Sequence, residues 1–366
     1  MEKKMEKKLV MIGVILLIGF FYSLSALAAE PIELKATAYI GNPSTMPIYA
    51  AHEAWAKEIE KRTNGRYKIK FYWDGTLGST RDLPGLCANG IADFYFSCFS
   101  YTPTLFPLTS VSELIYITES NHAASIALQD LYKTYKPLRD EWERAGLRLH
   151  AANIFDPGIT LTNKPINRFE DFSGLKIRAL GPSATMLNLW GAQPVNIAYA
   201  EVYEALQRGT VNGIVGPLNS SYDMRFWENA KHVTNIGMGV YIGGYTAMSQ
   251  KTYDKIPNEL KGIFDQVGED LTKGFYKRLD WVVKAQADKF IASPCIMKKV
   301  SPEEIKRAEK ATVPMAWESW IGTAAAKGLP AKELLDLYTK KVRAAENTPE
   351  GRMDDIFKYI ETQRKK

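Results

Sequence analysis

Residues Ser173–Leu218 read SGLKIRALGPSATMLNLWGAQPVNIAYAEVYEALQRGTVNGIVGPL, and this stretch decides the fold class. Gly174–Leu180 (GLKIRAL) predicts a buried strand with a single arginine, Arg178, at its end. Gly181-Pro182-Ser183 stops the strand, and Ser183 is placed to cap a helix over Ala184–Trp190. Gln193–Ile197 is extended again, Ala198–Gln207 is an amphipathic helix closed by Gly209, and Asn212–Gly216 makes a last short strand. Strands and helices alternating at this length describe a parallel α/β unit, whose crevice lies at the carboxyl ends of its strands. Arg178 is placed at such an end. A guanidinium there offers a planar fork of donors that matches a carboxylate and keeps its charge when desolvated. The alternative is a structural ion pair with Asp171 or Glu201.

Outward from this unit the chain keeps the same grammar. Glu33–Ile40 predicts a first strand, followed by the turn Gly41-Asn42-Pro43-Ser44 and a helix with Pro47 near its start. Ile48, Ala51, Trp55 and Ile59 recur at helical spacing and form one buried stripe. Lys68–Trp73 and Ile91–Phe96 predict strands, with a helix between them beginning at Leu83 and capped by Asp82. The strand ends and loops from Trp73 to Tyr101 are rich in aromatics, among them Phe99. Ser120–Gly146 predicts a helix broken at Pro137, then Leu147–Ile154 a strand, with Asp156-Pro157-Gly158 as a crossing between lobes. Tyr241–Ser249 predicts a strand returning to the first lobe, and its Tyr241 and Tyr245 stand equally as core or as cleft residues. Between Pro257 and Pro294 the residues Leu260, Phe264, Val267, Leu271, Phe275, Leu279 and Val282 keep helical spacing without a break. One helix of that length reaches roughly 54 Å, enough to cross two lobes. Ser301-Pro302-Glu303-Glu304 opens a further helix, and Ala331–Arg343 and Pro349–Lys366 predict C-terminal helices.

The 366 residues, 46% hydrophobic and 24% charged, suffice for two lobes with their own cores. Lys3, Lys4, Lys7 and Lys8 precede the apolar run Leu9–Leu24, and Ala26-Leu27-Ala28 follows with small-residue spacing, so residues 1–28 predict a signal peptide cleaved near Ala28. An uncleaved anchor is the alternative, because the run approaches spanning length. The formal charge of +6 is spread along the chain, which gives no reason to expect nucleic acid as a partner. Cys87, Cys98 and Cys295 lack metal or redox spacing and are expected to be buried apolar side chains, one bridged pair being the alternative. No hydrolase elbow, zinc-protease pair or phosphate loop occurs, and the four histidines are scattered, so neither catalysis nor a cofactor is expected.

The strand GLKIR, the turn Gly191-Ala192-x-Pro194, the helix Tyr199-x-Glu201-Val202-Tyr203-x-Ala205-Leu206-Gln207 and Asn212-Gly213 together resemble the solute receptors of tripartite ATP-independent periplasmic (TRAP) transporters. Leu77-Gly78, Gly90-Ile91-Ala92-Asp93 and Thr162-Asn163-Lys164-Pro165-Ile166 extend the resemblance over most of the chain. It implies a two-lobe periplasmic binding protein fold of α/β class with a long helix spanning both lobes. Lobe I would be 29–158 plus about 241–280, lobe II 159–240 plus about 281–345, with 346–366 a C-terminal helix. The resemblance further implies a periplasmic monomer that captures a carboxylate and delivers it to integral membrane subunits driven by an ion gradient. By the same resemblance Arg178 binds the carboxylate, Lys164 stands where relatives have a second arginine, and Tyr199 packs on ligand. Asn42 sits in a loop that reaches the site. Val215-Gly216 replaces a polar pair of sugar-acid receptors, with Asn219 as partial substitute and Gly216 leaving room for a ring. Trp73, Phe99, Tyr101 and Tyr245 would add aromatic surface, favouring a monocarboxylate with an apolar or aromatic body. Small dicarboxylates held partly by Lys164 are the second expectation, and no metal is expected. Rival readings are a receptor for an ATP-driven importer or a sensor, or an exported enzyme using the same cleft.

Overall fold

The computed structural model describes residues 30–38, 40–347 and 356–364; the expected signal peptide lies outside them. The strands gather into two sheets. The first holds β1 (Ile32–Ala38), β2 (Tyr67–Tyr72), β3 (Phe94–Cys98), β4 (Leu147–Ala152) and β10 (Gly244–Ser249) in the order β2-β1-β3-β10-β4. The second holds β5 (Gly158–Thr162), β6 (Lys176–Arg178), β7 (Gln193–Val195), β8 (Gly213–Pro217), β9 (His232–Asn235) and β11 (Ile296–Lys299) in the order β11-β9-β5-β8-β6-β7. β1 pairs parallel with β2 and β3, and β6 pairs parallel with β7 and β8, whereas β10 and β5 run antiparallel to their neighbours. β5 and β10 are the strands that follow the two direct crossings, and each runs against its neighbours, whereas β11, reached through the long helix, pairs parallel with β9.

Local chemistry explains several boundaries. The predicted break near Pro137 falls at Tyr135, which is extended between the helices Asn121–Thr134 and Lys136–Arg144. Ser120 caps the first of these by accepting from the Ala123 N–H. Two expected caps are corrected. Asp82 accepts from the N–H and hydroxyl of Ser79 instead of capping the short helix Leu83–Ala88. Ser183 lies inside the helix Gly181–Leu189 and donates to the Leu180 carbonyl. The expected helix 198–207 divides into a tight turn, Tyr199–Glu201, and the helix Val202–Gln207.

The long helix is Asn258–Ala292, 35 residues. Its apolar stripe is buried as the spacing predicts, and Gly268 lets it pass against β4, since a Cβ there would lie 2.3 Å from the His150 carbonyl oxygen. One apolar cluster runs from Leu34 in the first sheet through Phe264, Leu271 and Phe290 of this helix to Ile214 and Val233 in the second. A second helix, Pro302–Ala325, also straddles the lobes: Ala308 packs with the core around Trp190, Trp317 and Trp320 with the core around Trp142. The expected assignment of 281–345 to lobe II needs correction at its end. The helix Ala331–Glu346 buries Leu334, Leu335, Tyr338 and Val342 against the first lobe, in the cluster of Leu128 and Trp142. Spacing shows that a helix has an apolar face, not which surface covers it. The final helix, Ile356–Arg364, places Phe357 and Ile360 with the long helix.

The chain crosses between sheets at 153–157 and again at 236–243, and the two crossings bond to each other. Gly158 N donates to Gly239 O (2.9 Å), Phe155 N to Ile242 O (3.1 Å) and Asn153 N to Gly244 O (2.8 Å). A loop of the first lobe adds Tyr116 N to Met238 O (2.7 Å) and Val240 N to Thr118 O (2.8 Å). Gly239 has φ +77°, and a Cβ on it would meet the Thr118 oxygen at 2.4 Å. Gly239→Ala is therefore expected to lower stability by at least ~1 kcal/mol in urea denaturation. Gly262→Ala, at an open position on the long helix, should raise it by ~0.5–1 kcal/mol.

Candidate functional site: a buried arginine between the lobes

β6 delivers Arg178 to the carboxyl end of the second sheet, in register with Val195 of β7 and Ile214 of β8. The side chain is only 4% exposed. Its Nε donates to the Ile197 carbonyl (3.2 Å) and its Nη2 to the Tyr101 hydroxyl of the first lobe (3.2 Å). The Tyr199 ring lies 5.5 Å from Cζ, within reach of a cation–π interaction. Among the described residues no carboxylate forms an ion pair with it. Asp171 instead accepts from the N–H groups of Asn167 and Arg168, and Glu201 from that of Ala198. A buried charge without a counter-charge is costly, so the site as built favours an anion.

The guanidinium faces a cavity of about 40 Å³. Met46, Cys98, Ser100 and Tyr101 come from the first lobe, and Leu180, Tyr199, Pro217 and Ser220 from the second; Phe155, Tyr241 and Ile242 belong to the crossings. The walls are apolar apart from a few hydroxyls. Tyr199 Oη and Ser220 Oγ are 2.9 Å apart, and burial raises the Tyr199 pKa to about 12. Tyr241 Oη is buried without a hydrogen-bond partner among the described residues. Behind the wall, Asp156 holds the start of the turn Leu218–Ser221, accepting from the N–H of Leu218 (2.7 Å) and of Asn219 (3.3 Å) and from the Asn219 amide. Burial raises its pKa to about 6 against these donors. On the other side Glu113, 1% exposed, accepts from Ser100 N (3.0 Å), Ser100 Oγ (2.5 Å) and Gly243 N (3.2 Å).

Of the residues expected from the sequence, the structure brings Arg178, Tyr101 and Tyr199 together at the cavity. The others stand elsewhere. Lys164 is exposed and follows β5 at the end remote from the cavity, beyond the Thr162–Gly213 pair. Trp73 stacks on Phe71 (4.5 Å) and on Tyr49 (5.1 Å). Phe99 and Tyr245 stack on each other (4.4 Å) inside the first lobe's core, with Tyr245 Oη 3.0 Å from Tyr95 Oη. Asn42 bonds Asp74 and its own turn. Asn219 is buried against Asp156 behind the wall. A Cβ on Gly216 would already meet Ile214 at 3.3 Å, so Gly216 opens no space for a ring. Met46, Cys98, Ser100, Phe155, Leu180, Pro217, Ser220 and Ile242 were not expected; of the two tyrosines on the returning segment left open between core and cleft, Tyr241 lines the cavity and Tyr245 does not. Among the described residues Cys87, Cys98 and Cys295 are unbridged and buried. No group of three or more metal-ligating side chains comes together among them.

Two lobes joined by paired crossings, with a buried cation in the cleft, define a two-lobe ligand-binding protein. The bacterial extracellular solute-binding protein family 7 matches residues 38–322, and the chain belongs to that family, the solute-binding proteins of TRAP transporters. A solute-binding protein of Verminephrobacter eiseniae is 28% identical over 219 residues, 57% of this chain and 62% of that relative's length, under two thirds of it. The C4-dicarboxylate-binding periplasmic protein of Rhodobacter capsulatus is 28% identical over 238 residues, covering 64% and 69% of the two chains. A TRAP periplasmic solute-binding protein from Desulfovibrio salexigens, solved as an open complex, superposes with TM-score 0.75 at 27% identity over 88% of this chain and 98% of its own.

Burial raises the Glu113 pKa from 4.5 to about 7. A carboxyl whose folded pKa is raised binds its proton more tightly in the folded state, so the stability it confers is lost as pH climbs from about 4.5 to about 7. Glu113→Gln keeps an oxygen for Ser100 N and Gly243 N and does not titrate. Urea denaturation across pH 4.5–8 should show a shallower loss of stability with rising pH in this variant than in the wild type.

Proposed function

We propose that the protein is a periplasmic receptor that captures an organic monocarboxylate with an apolar or aromatic body. It then delivers this ligand to the membrane subunits of a TRAP transporter. The observation that carries this reading is the buried guanidinium of Arg178, which faces the interlobe cavity without an anionic partner among the described residues. Curated relatives support the carboxylate: besides the C4-dicarboxylate protein, a sialic acid-binding periplasmic protein of Vibrio cholerae is 25% identical over 250 residues. The cavity argues against those particular ligand bodies. Among the described residues Arg178 is the one cation lining it, and Lys164 follows β5 at the end remote from it, so a second carboxylate would find no counter-charge there. Met46, Phe155, Leu180, Pro217 and Ile242 would leave the hydroxyls of a sugar acid unpaired. The N-terminal segment fits export with cleavage near Ala28, and nothing in the site calls for a second copy of the chain.

Arg178→Ala should weaken binding of the monocarboxylate identified by a thermal-shift screen by roughly thirty- to several-thousand-fold in calorimetry. Arg178→Lys should also bind poorly, because a point charge cannot reproduce the fork. Affinity within about threefold of wild type would remove Arg178 from the site.

Ligand entry requires the lobes to part. The cavity of about 40 Å³ holds on the order of three waters, and an aromatic acid is several times larger. Two hydrogen bonds join the lobes across the cleft, Arg178 to Tyr101 (3.2 Å) and Arg81 to Asn196 (3.4 Å). Small-angle scattering should give a smaller radius of gyration with saturating ligand than without. An identical curve would mean a rigid cleft.

A further inference from the structure

We infer that the Tyr241 hydroxyl is the second donor to the bound carboxylate, forming a clamp with Arg178; this rests on the functional reading above. Three observations carry it. Tyr241 lines the same cavity as Arg178, and its Oη is buried with no hydrogen-bond partner among the described residues. Such groups are rare in folded proteins because each forfeits its hydration for nothing. The hydroxyl feels the positive charge of Arg178, which opposes the effect of burial on its acidity, so the two groups share one electrostatic neighbourhood. Finally, the ring is locked in place: a Cβ on Gly158 would lie 2.5 Å from its Cε1, so the bare glycine backbone forms the slot in which it sits.

The donor count fits. Arg178 has Nε committed to the Ile197 carbonyl and one Nη2 hydrogen to Tyr101, so its fork satisfies part of a carboxylate's acceptor capacity. A phenolic O–H supplies a further donor without adding charge. The hydroxyls of Tyr199 and Ser220 bond each other, that of Ser100 donates to Glu113 and that of Tyr101 accepts from Arg178, whereas among these wall hydroxyls Tyr241 Oη has no hydrogen-bond partner of either kind among the described residues. Tyr241 also belongs to a crossing, between Gly239 and Ile242, whose carbonyls accept from Gly158 and Phe155. A ligand held by Arg178 and Tyr241 therefore touches the second lobe and the hinge at once. Closure is rewarded by a contact that an open cleft would make poorly.

Tyr241→Phe removes the hydroxyl alone. Wild type, Arg178→Ala and Tyr241→Phe are titrated calorimetrically with benzoate, phenylacetate, mandelate, phenylpyruvate and 4-methyl-2-oxopentanoate, and their melting temperatures are taken with and without each acid. Tyr241→Phe is expected to weaken every acid that binds the wild type by roughly 10- to 100-fold, phenylacetate and mandelate alike. Its melting temperature without ligand should be unchanged or higher, because a buried unpartnered hydroxyl has been removed. Affinity within about twofold of wild type, while Arg178→Ala abolishes binding, overturns the assignment of Tyr241 and leaves the functional reading standing. A loss confined to the 2-hydroxy and 2-oxo acids overturns it as well, since the hydroxyl would then serve the ligand body. So does a lower ligand-free melting temperature with unchanged affinity, which marks a structural role. If no acid of the panel binds the wild type, the functional reading falls and this inference with it.

Discussion

The guanidinium of Arg178 has been taken out of water and given less than it lost. A carbonyl and a phenol oxygen satisfy part of its hydrogen-bonding capacity, and the face of Tyr199 offers the weak attraction of a ring quadrupole. None of these carries a negative charge, and desolvating a cation without one costs several kcal/mol. The surrounding fold makes that arrangement possible. β6 pins the backbone between β7 and β8, and the acids nearest in sequence are tied to local backbone donors, Asp171 to the turn 167–168 and Glu201 to Ala198. The residual positive field is thereby kept for something that is not part of the chain.

The lobes are joined by three kinds of connection. The bonded crossings form a narrow ladder at the floor of the cleft, where Gly239 and Gly158 let backbones approach more closely than any side chain would allow. The long helix shares one apolar core with both sheets, so rotation of one lobe against the other must bend or slide along it. The helix Pro302–Ala325 makes a second tie on the opposite cores, with Pro314 inside it at the point where its packing passes from one lobe to the other. Proline removes a helical hydrogen bond there.

Buried carboxyls stand on both sides of the cavity. Glu113 joins the cavity wall at Ser100 to the returning crossing at Gly243, and Asp156 joins the outgoing crossing to the turn that carries Ser220. Each is satisfied by backbone N–H groups and not by a cation. These acids organise the walls through hydrogen bonds while leaving Arg178 unopposed.

Much of this was legible along the chain. The alternation in 173–218, the unbroken stripe from Leu260 to Val282 and the placement of Arg178 at a strand end follow from periodicity and turn chemistry, which act over a few residues. The glycines and prolines marked the crossing at 156–158 and the break between 134 and 136 for the same reason. Beyond Arg178, Tyr101 and Tyr199, most of the cavity wall was not legible. Phe99 and Tyr245 had the composition of a binding surface but pack on each other, while Met46 and Ser220 arrive from segments far apart in sequence. A strand's pattern records that a face is buried, not whether core or cleft covers it, and an apolar helix such as Ala331–Glu346 records a stripe, not its partner. The sequence by itself determined the α/β class, the long helix and an arginine at a strand end, while the two-lobe organisation and that arginine's role followed from the resemblance its motifs carry. Only the tertiary structure decided which lobe each C-terminal helix joins and that, among the described residues, Arg178 has no carboxylate paired with it and the Tyr241 hydroxyl no hydrogen-bond partner, because burial and pairing are properties of what meets in space.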